Sequence, residues 1–150
     1  MKNIHYLIMA VCLFFGSCQT NEKPNKLYEE GISLELAQLR KQEIKDLKYN
    51  LRFSIPEQKQ EAVEGETRIL FTIQKPQEII LDFRESADKV KEVSVNGQPS
   101  EYTFLNEHII LPEGSTIEGE NEVHIRFTAG DQSLNRNDEY LYTLLVPDRA

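Results

Sequence analysis

"LKYNLRFSIP" at residues 47–56 decides the fold. Leu47, Tyr49, Leu51, Phe53 and Ile55 alternate with Lys48, Asn50, Arg52 and Ser54. A period of two sends the two sets to opposite sides of an extended chain, so the stretch predicts a half-buried strand that Pro56 ends. The same period recurs downstream. Ile69, Phe71 and Ile73 alternate with Arg68, Leu70 and Thr72, after a polar connection, "EQKQEAVEGE", with a turn at Gly65. "EIILDF" at 78–83 gives a third strand, and Val93 and Val95 a fourth. The fourth runs into Asn96-Gly97, a two-residue hairpin signal because both residues tolerate positive φ. "EYTFL" at 101–105 and "EHIILP" at 107–112 read as two short strands. Val123, Ile125 and Phe127 alternate with His124, Arg126 and Thr128 in a seventh. The eighth is "EYLYTLLVPDRA" at 139–150, with Tyr140, Tyr142, Leu144 and Val146 on one face and Leu141, Thr143 and Leu145 on the other. It is apolar on both faces and is closed by Pro147.

Short strands separated by turn signals, with no recurring helical segment, predict an all-β fold: an antiparallel β-sandwich over residues 46–146. Leu51, Phe53, Ile69, Phe71, Val95, Ile125 and Phe127 are expected inward. Ser33 is placed to cap one short helix at 34–42, with Glu35 in its first turn, Leu36 and Leu39 as a narrow apolar stripe, and Arg40 and Lys41 beyond.

The front of the chain has a different character. Lys2 precedes an uncharged apolar run from Tyr6 to Gly16, too short to span a bilayer. Phe15-Gly16-Ser17-Cys18 then resembles a bacterial lipobox, with Phe15 and Ser17 as conservative departures from its usual residues. Residues 1–17 are therefore expected to be a lipoprotein signal peptide, and Cys18 the lipid acceptor and new N-terminus. The competing reading is an ordinary cleaved signal, and a cysteine at the processing site favours lipidation. Residues 18–30, polar and holding Pro24, are expected to be a flexible tether, and 31–150 the domain. The expected location is the cell envelope, as a membrane-anchored lipoprotein. Cys12 and Cys18 are the only cysteines, so the domain has no disulfide framework and must rest on a hydrophobic core.

The formal charge is −8, and removal of residues 1–17 takes Lys2 with it. An acidic chain without a basic patch is repelled by nucleic acid, so no nucleic-acid partner is expected. Catalytic constellations are also missing. His5 lies in the signal, and His108 and His124 have no second ligand at metal spacing. His124 is read as solvent-facing and His108 as an edge or half-core residue. No G-x-S-x-G elbow or glycine-rich phosphate loop occurs. Glu57, Glu61, Glu64 and Glu66 read as a solvated loop. Asp82, inside an apolar run, reads as a structural hydrogen bond at a strand end. In "AGDQSLNRND" at 129–138, Arg136 could recognise a carboxylate or a backbone, while a surface ion pair with Asp138 is the plainer reading. No residue is therefore assigned a catalytic, cofactor-binding or metal-binding role.

The order of the motifs carries a resemblance. Tyr49-x-Leu51-x-Phe53 and Gly65 come first, then Leu81-Asp82-Phe83, Val95-Asn96-Gly97 and His108-Ile109-Ile110-Leu111-Pro112. Gly119-x-Asn121-x-Val123-x-Ile125-x-Phe127, Tyr140-Leu141-Tyr142 and Val146-Pro147-Asp148-Arg149-Ala150 follow. Over about residues 31–150 the chain resembles the N-terminal domain of aminopeptidase N-type zinc metallopeptidases, the gluzincin aminopeptidases, in the lipoprotein form of Bacteroides-like bacteria. That resemblance implies a saddle-like β domain packed on a catalytic domain that holds zinc and removes N-terminal amino acids from peptides. The catalytic motifs of the family, H-E-x-x-H and G-x-M-E-N, do not occur in this sequence. It implies a non-catalytic domain, inactive alone, with the missing catalytic domain docked on the C-terminal strand through Leu141 and Leu145 or Tyr140 and Tyr142. The alternative is a complete non-catalytic envelope lipoprotein acting as a protein- or peptide-binding module. A glycan-binding sandwich is disfavoured, since the chain has no tryptophan.

Overall fold

The computed structural model describes residues 25–130, 134–137 and 139–143. The fold is all-β, built from antiparallel strands with one short α-helix. Helix α1 spans Leu34–Glu43, and the strands are β1 (Lys45–Ser54), β2 (Val63–Ile73), β3 (Ile79–Asp82), β4 (Val90–Val95) and β5 (Gln98–Pro99). They continue as β6 (Thr103–Leu105), β7 (His108–Leu111), β8 (Gly119–Ala129), β9 (Asn135–Arg136) and β10 (Leu141–Tyr142). A five-stranded sheet runs in the order β1-β2-β8-β4-β5, and a three-stranded sheet in the order β3-β7-β6. Strands β9 and β10 form a separate two-residue ribbon.

The core lies between the two larger sheets. Ile69, Phe71 and Ile73 of β2 meet Val123 and Ile125 of β8, Val93 and Val95 of β4, and Ile79, Ile109 and Leu111 of the small sheet. The small sheet is buried on both sides, which explains its continuous apolar runs "IILD" and "HIIL" in place of alternation. Ile80 and Ile110 point away from the main core and are covered by Leu36 of α1, 1% exposed, with Leu27 and Tyr28 alongside. Ser33 caps that helix as its position predicts, its Oγ accepting the Leu36 N–H at 3.1 Å.

Two hairpin turns use positive φ. Asn96 (52°) and Gly97 (77°) join β4 to β5 in the place the dipeptide predicts. Asn106 (48°) and Glu107 (64°) join β6 to β7, with no glycine to announce it. Buried Asn121 ties the start of β8 down. Its Nδ2 donates to the Ile117 and Gly119 carbonyls, and its Oδ1 accepts from Ile117 N–H and Asn96 Nδ2.

Three expectations are corrected. Leu51 and Phe53 were expected in the core, but they are 55% and 51% exposed. Strand β1 is the edge of a five-stranded sheet whose facing sheet has three strands, so the facing sheet ends before reaching it. Gly65 is not a turn; it lies inside β2, paired with Phe53 on one side and Phe127 on the other. The Phe127 ring occupies the space a Cβ would fill, so the glycine is required by close packing. Finally, the described part of the C-terminal stretch, Leu141–Tyr142, pairs with β9 and not with either larger sheet. Tyr140, Leu141 and Tyr142 are all about half exposed, on a ribbon pairing Leu141 with Arg136. Leu144, Leu145 and Val146 lie outside the described residues, as does Cys18.

Core and flank should respond differently to truncation. Phe71, 3% exposed, should lose about 3–5 kcal/mol of stability as Phe71→Ala. Phe53→Ala should lose well under half as much, because half of the ring is already in water. Urea unfolding of the two variants checks this, and equal losses would show that β1 is covered in solution.

Candidate functional site

The leftover flank of β1 forms one wall of a groove. Leu47, Tyr49 and Leu51 line it side by side with Thr67, Ile69 and Phe71 of the neighbouring β2, around an opening of about 470 Å³. Ile79 and Leu81 of β3 form the opposite wall, and Ile125 and Phe127 of β8 the floor. Arg40 and Lys41, at the end of α1, stand at the rim. At one end the aromatic rings interlock edge to face: Phe53 on Phe127 at 6.2 Å, Phe127 on Phe83 at 5.5 Å, and Phe83 on Phe104 at 6.3 Å. Leu47, Tyr49, Leu51, Phe53 and Ile55 each remain about half exposed, so covering each would add about 1 kcal/mol of apolar burial.

One polar group is out of place in this lining. Thr67 is buried, and its hydroxyl has no hydrogen-bond partner among the described residues. A buried hydroxyl without a partner costs about 1–3 kcal/mol, and this one lies among the groove-lining residues. Chemically, the groove can hold an apolar occupant with at least one polar atom. Its lining offers no nucleophile paired with a base.

Asp82, His108 and Arg40 meet at the rim. Arg40 donates to both carboxylate oxygens of Asp82 at 2.7 Å and to the Ile80 carbonyl at 2.7 Å. His108, 1% exposed and on the central strand of the small sheet, places Nδ1 at 3.1 Å from Asp82 Oδ1. That contact lies off the in-line geometry of a hydrogen bond. Nε2 faces the Glu29 carbonyl at 2.9 Å and so donates to it. The cluster thus fastens the segment before α1 to the sheet. Asn106 Nδ2 adds a bond to the Tyr28 carbonyl at 2.7 Å, and Tyr28 donates to Glu78 at 2.6 Å, a bond that raises the tyrosine pKa. The end of the expected tether, residues 25–30, is seated on the domain through these contacts. Asp82 has the structural hydrogen-bonding role its position predicts, whereas His108 is fully buried, not at an edge.

Arg136 settles between its two readings in favour of the backbone. It is buried and donates to the carbonyls of Pro56, Lys59 and Glu61, each at 2.8 Å. It therefore shapes the β1–β2 connection and forms no ion pair among the described residues; Asp138 lies outside them. The four glutamates do not form one loop. Glu57 and Glu61 are in that connection, while Glu64 and Glu66 lie on β2, with Glu66 at 3.2 Å from His124 Nε2. Among the described residues no three His, Cys, Asp or Glu side chains converge as a metal site, and no helix is long and apolar enough to cross a membrane. Sequence reasoning missed Thr67 and the groove, because period two reveals which side of a strand is apolar but not whether a second sheet reaches it.

No protein-family model matches the chain, and no curated protein matches it. Among solved structures it is similar to a two-domain M1 zinc metallopeptidase mutant bound to L-tryptophan, at 17% identity and a TM-score of 0.42. The match covers 61% of this chain and 23% of that one.

Removing the Arg40 guanidinium should loosen the seat of α1. Arg40→Ala leaves Asp82 and the Ile80 carbonyl without their donor, a loss of about 1–2 kcal/mol after allowing for partial solvent exposure. Hydrogen exchange at Leu36 and His108 should accelerate while Val123, in the main core, stays protected; equal acceleration throughout would mean that the cluster is not a local brace.

Proposed function

We propose that the chain is the non-catalytic N-terminal β domain of a lipid-anchored zinc aminopeptidase, held at the cell envelope through Cys18. The uncovered flank of β1 carries this reading: half-exposed apolar side chains beside an open groove suit a domain that further polypeptide completes. The order of motifs from Tyr49 to Ala150 supplies the family. The described residues do not fit a zinc site. His108 is closed in by Glu29 and Asp82, and His124 has the single carboxylate of Glu66. Zinc would belong to the catalytic domain, and no hydrolytic step is assigned to this chain. Its role is to support that domain, with peptides as the substrates of the whole enzyme.

The proposed docking surface differs from the one the C-terminal strand alone suggests. Tyr140, Leu141 and Tyr142 are exposed and remain available, but among the described residues the larger apolar surface is β1. Two measurements test the reading. Membrane-extracted protein should have the intact mass of a chain beginning at diacylglyceryl Cys18, and Cys18→Ala should abolish that mass; a soluble protein with unmodified Cys18 would refute the anchor. The 150-residue chain should leave leucine p-nitroanilide intact, whereas the polypeptide extended through the sequence encoded after Ala150 should cleave it in a zinc-dependent manner. Zinc-dependent cleavage by the 150-residue chain itself would overturn the assignment.

A further inference from the structure

We infer that the outer edge of β1 is an acceptor for an added β-strand, and that the strand it accepts alternates apolar with acidic residues. The inference rests on the reading that the β1 flank is covered by further polypeptide, and it specifies the chemistry of the cover.

Among the described residues β1 pairs with β2 along one edge and with nothing along the other. From Leu47 to Ser54 its free backbone donors and acceptors span about 27 Å at the rise of a strand. Exposed edges are commonly protected by a charge pointing inward, a proline, or a covering loop. Strand β1 has a register shift between Lys45 and Lys48 and basic residues on its outer face, but from Leu47 on its inward row carries no charge: Leu47, Tyr49, Leu51 and Phe53 are all apolar, and Pro56 stands beyond the strand's end. A strand laid against this edge would continue the five-stranded sheet and lower its own alternate side chains over the groove. Thr67, with its buried unpartnered hydroxyl, lines that same groove.

The opposite row fixes the charge. Lys48 and Arg52 project from the outer face, and neither forms an ion pair among the described residues. Glu66, opposite Arg52 on β2, is at salt-bridge distance from Arg68 and His124. An incoming strand therefore meets two basic side chains four residues apart on one face and a purely apolar row on the other. Acidic residues on its outer face complement the first and apolar residues the second. A second copy of this chain fits less well, since it would bring its own Lys48 and Arg52 to the seam and a formal charge of −8 with it.

The test uses the full chain and labelled octapeptides, read by fluorescence anisotropy. A peptide alternating valine with glutamate should bind saturably. Its valine–lysine counterpart should bind at least tenfold more weakly, and so should the valine–glutamate peptide N-methylated at every peptide bond. Lys48→Glu with Arg52→Glu should invert the charge preference, and Leu51→Lys should abolish binding while thermal unfolding stays cooperative. Equal binding of the N-methylated peptide would overturn strand addition. Equal binding of the lysine peptide would overturn the charge assignment. A dimer dissolved by Leu51→Lys and indifferent to peptide would make the occupant a second copy and overturn the inference. Failure of every peptide to bind, with a hydrophobic dye still taken up by the groove, would reject the strand but leave the open flank that the proposed function rests on; absence of dye uptake as well would reject both.

Discussion

The two facing sheets are of unequal width, and the rest of the structure follows from that mismatch. Five strands face three. A layer of side chains between two sheets is dry only where both sheets are present. The small sheet shields β2, β8 and β4, whose inward residues Ile69, Phe71, Val123, Ile125 and Val93 are all buried. It stops short of β1, so the same alternation that buries Ile69 leaves Leu51 half in water. The groove, the exposed tyrosine and phenylalanine, and the isolated Thr67 hydroxyl are local consequences of that one shortfall.

The small sheet could not stand without cover of its own. Ile80 and Ile110 on its back are covered by Leu36 of α1, with Leu27 and Tyr28 packed alongside. The helix is weakly amphipathic, so it depends on tertiary contacts, as most short helices do. Arg40 provides one, reaching from the helix to Asp82 and the Ile80 carbonyl on β3. His108 provides another, reaching from β7 to the backbone before the helix. Lys26 adds a surface bond to Glu35, which lowers the glutamate pKa and would be lost as that carboxylate is protonated in acid. These polar contacts concentrate on the one layer that is covered by a single helix.

Much of the architecture was legible in the sequence. Alternation at 47–55, 69–73 and 123–127 located three long strands, Asn96-Gly97 a hairpin, and Ser33 a helix start. What escaped depended on information that is not local. Gly65 resembled a turn residue because it sits among glutamates, yet a glycine followed by clean alternation also signals close approach inside a strand, and Phe127 makes that approach. Arg136 sits in a polar loop without any pattern, and only the fold brings Pro56, Lys59 and Glu61 to it. The C-terminal stretch was apolar enough to suggest a sandwich strand, but its described part pairs with β9 alone. The candidate site was half legible: the residues of β1 were identified with the correct side inward, and their incomplete burial was not.

An edge strand with an apolar inner row is a hazard to a protein left to itself, since it can template pairing with any extended chain. Here the hazard is restricted by charge. The molecule is acidic overall, whereas β1 carries Lys45, Lys48 and Arg52 against Asp46. A neutral apolar strand could satisfy the backbone and the inner row but would leave Lys48 and Arg52 without partners. A basic one would be repelled at the seam, although the remainder of the molecule attracts it. Only an acidic, alternating strand gains on both faces, and the net charge of the surrounding surface opposes its long-range approach from solution. That balance favours delivery of the strand by a tethered or covalently continuous polypeptide, for which a high local concentration replaces electrostatic steering. The basic edge within an acidic domain is thus better matched to a fixed partner than to a freely diffusing one.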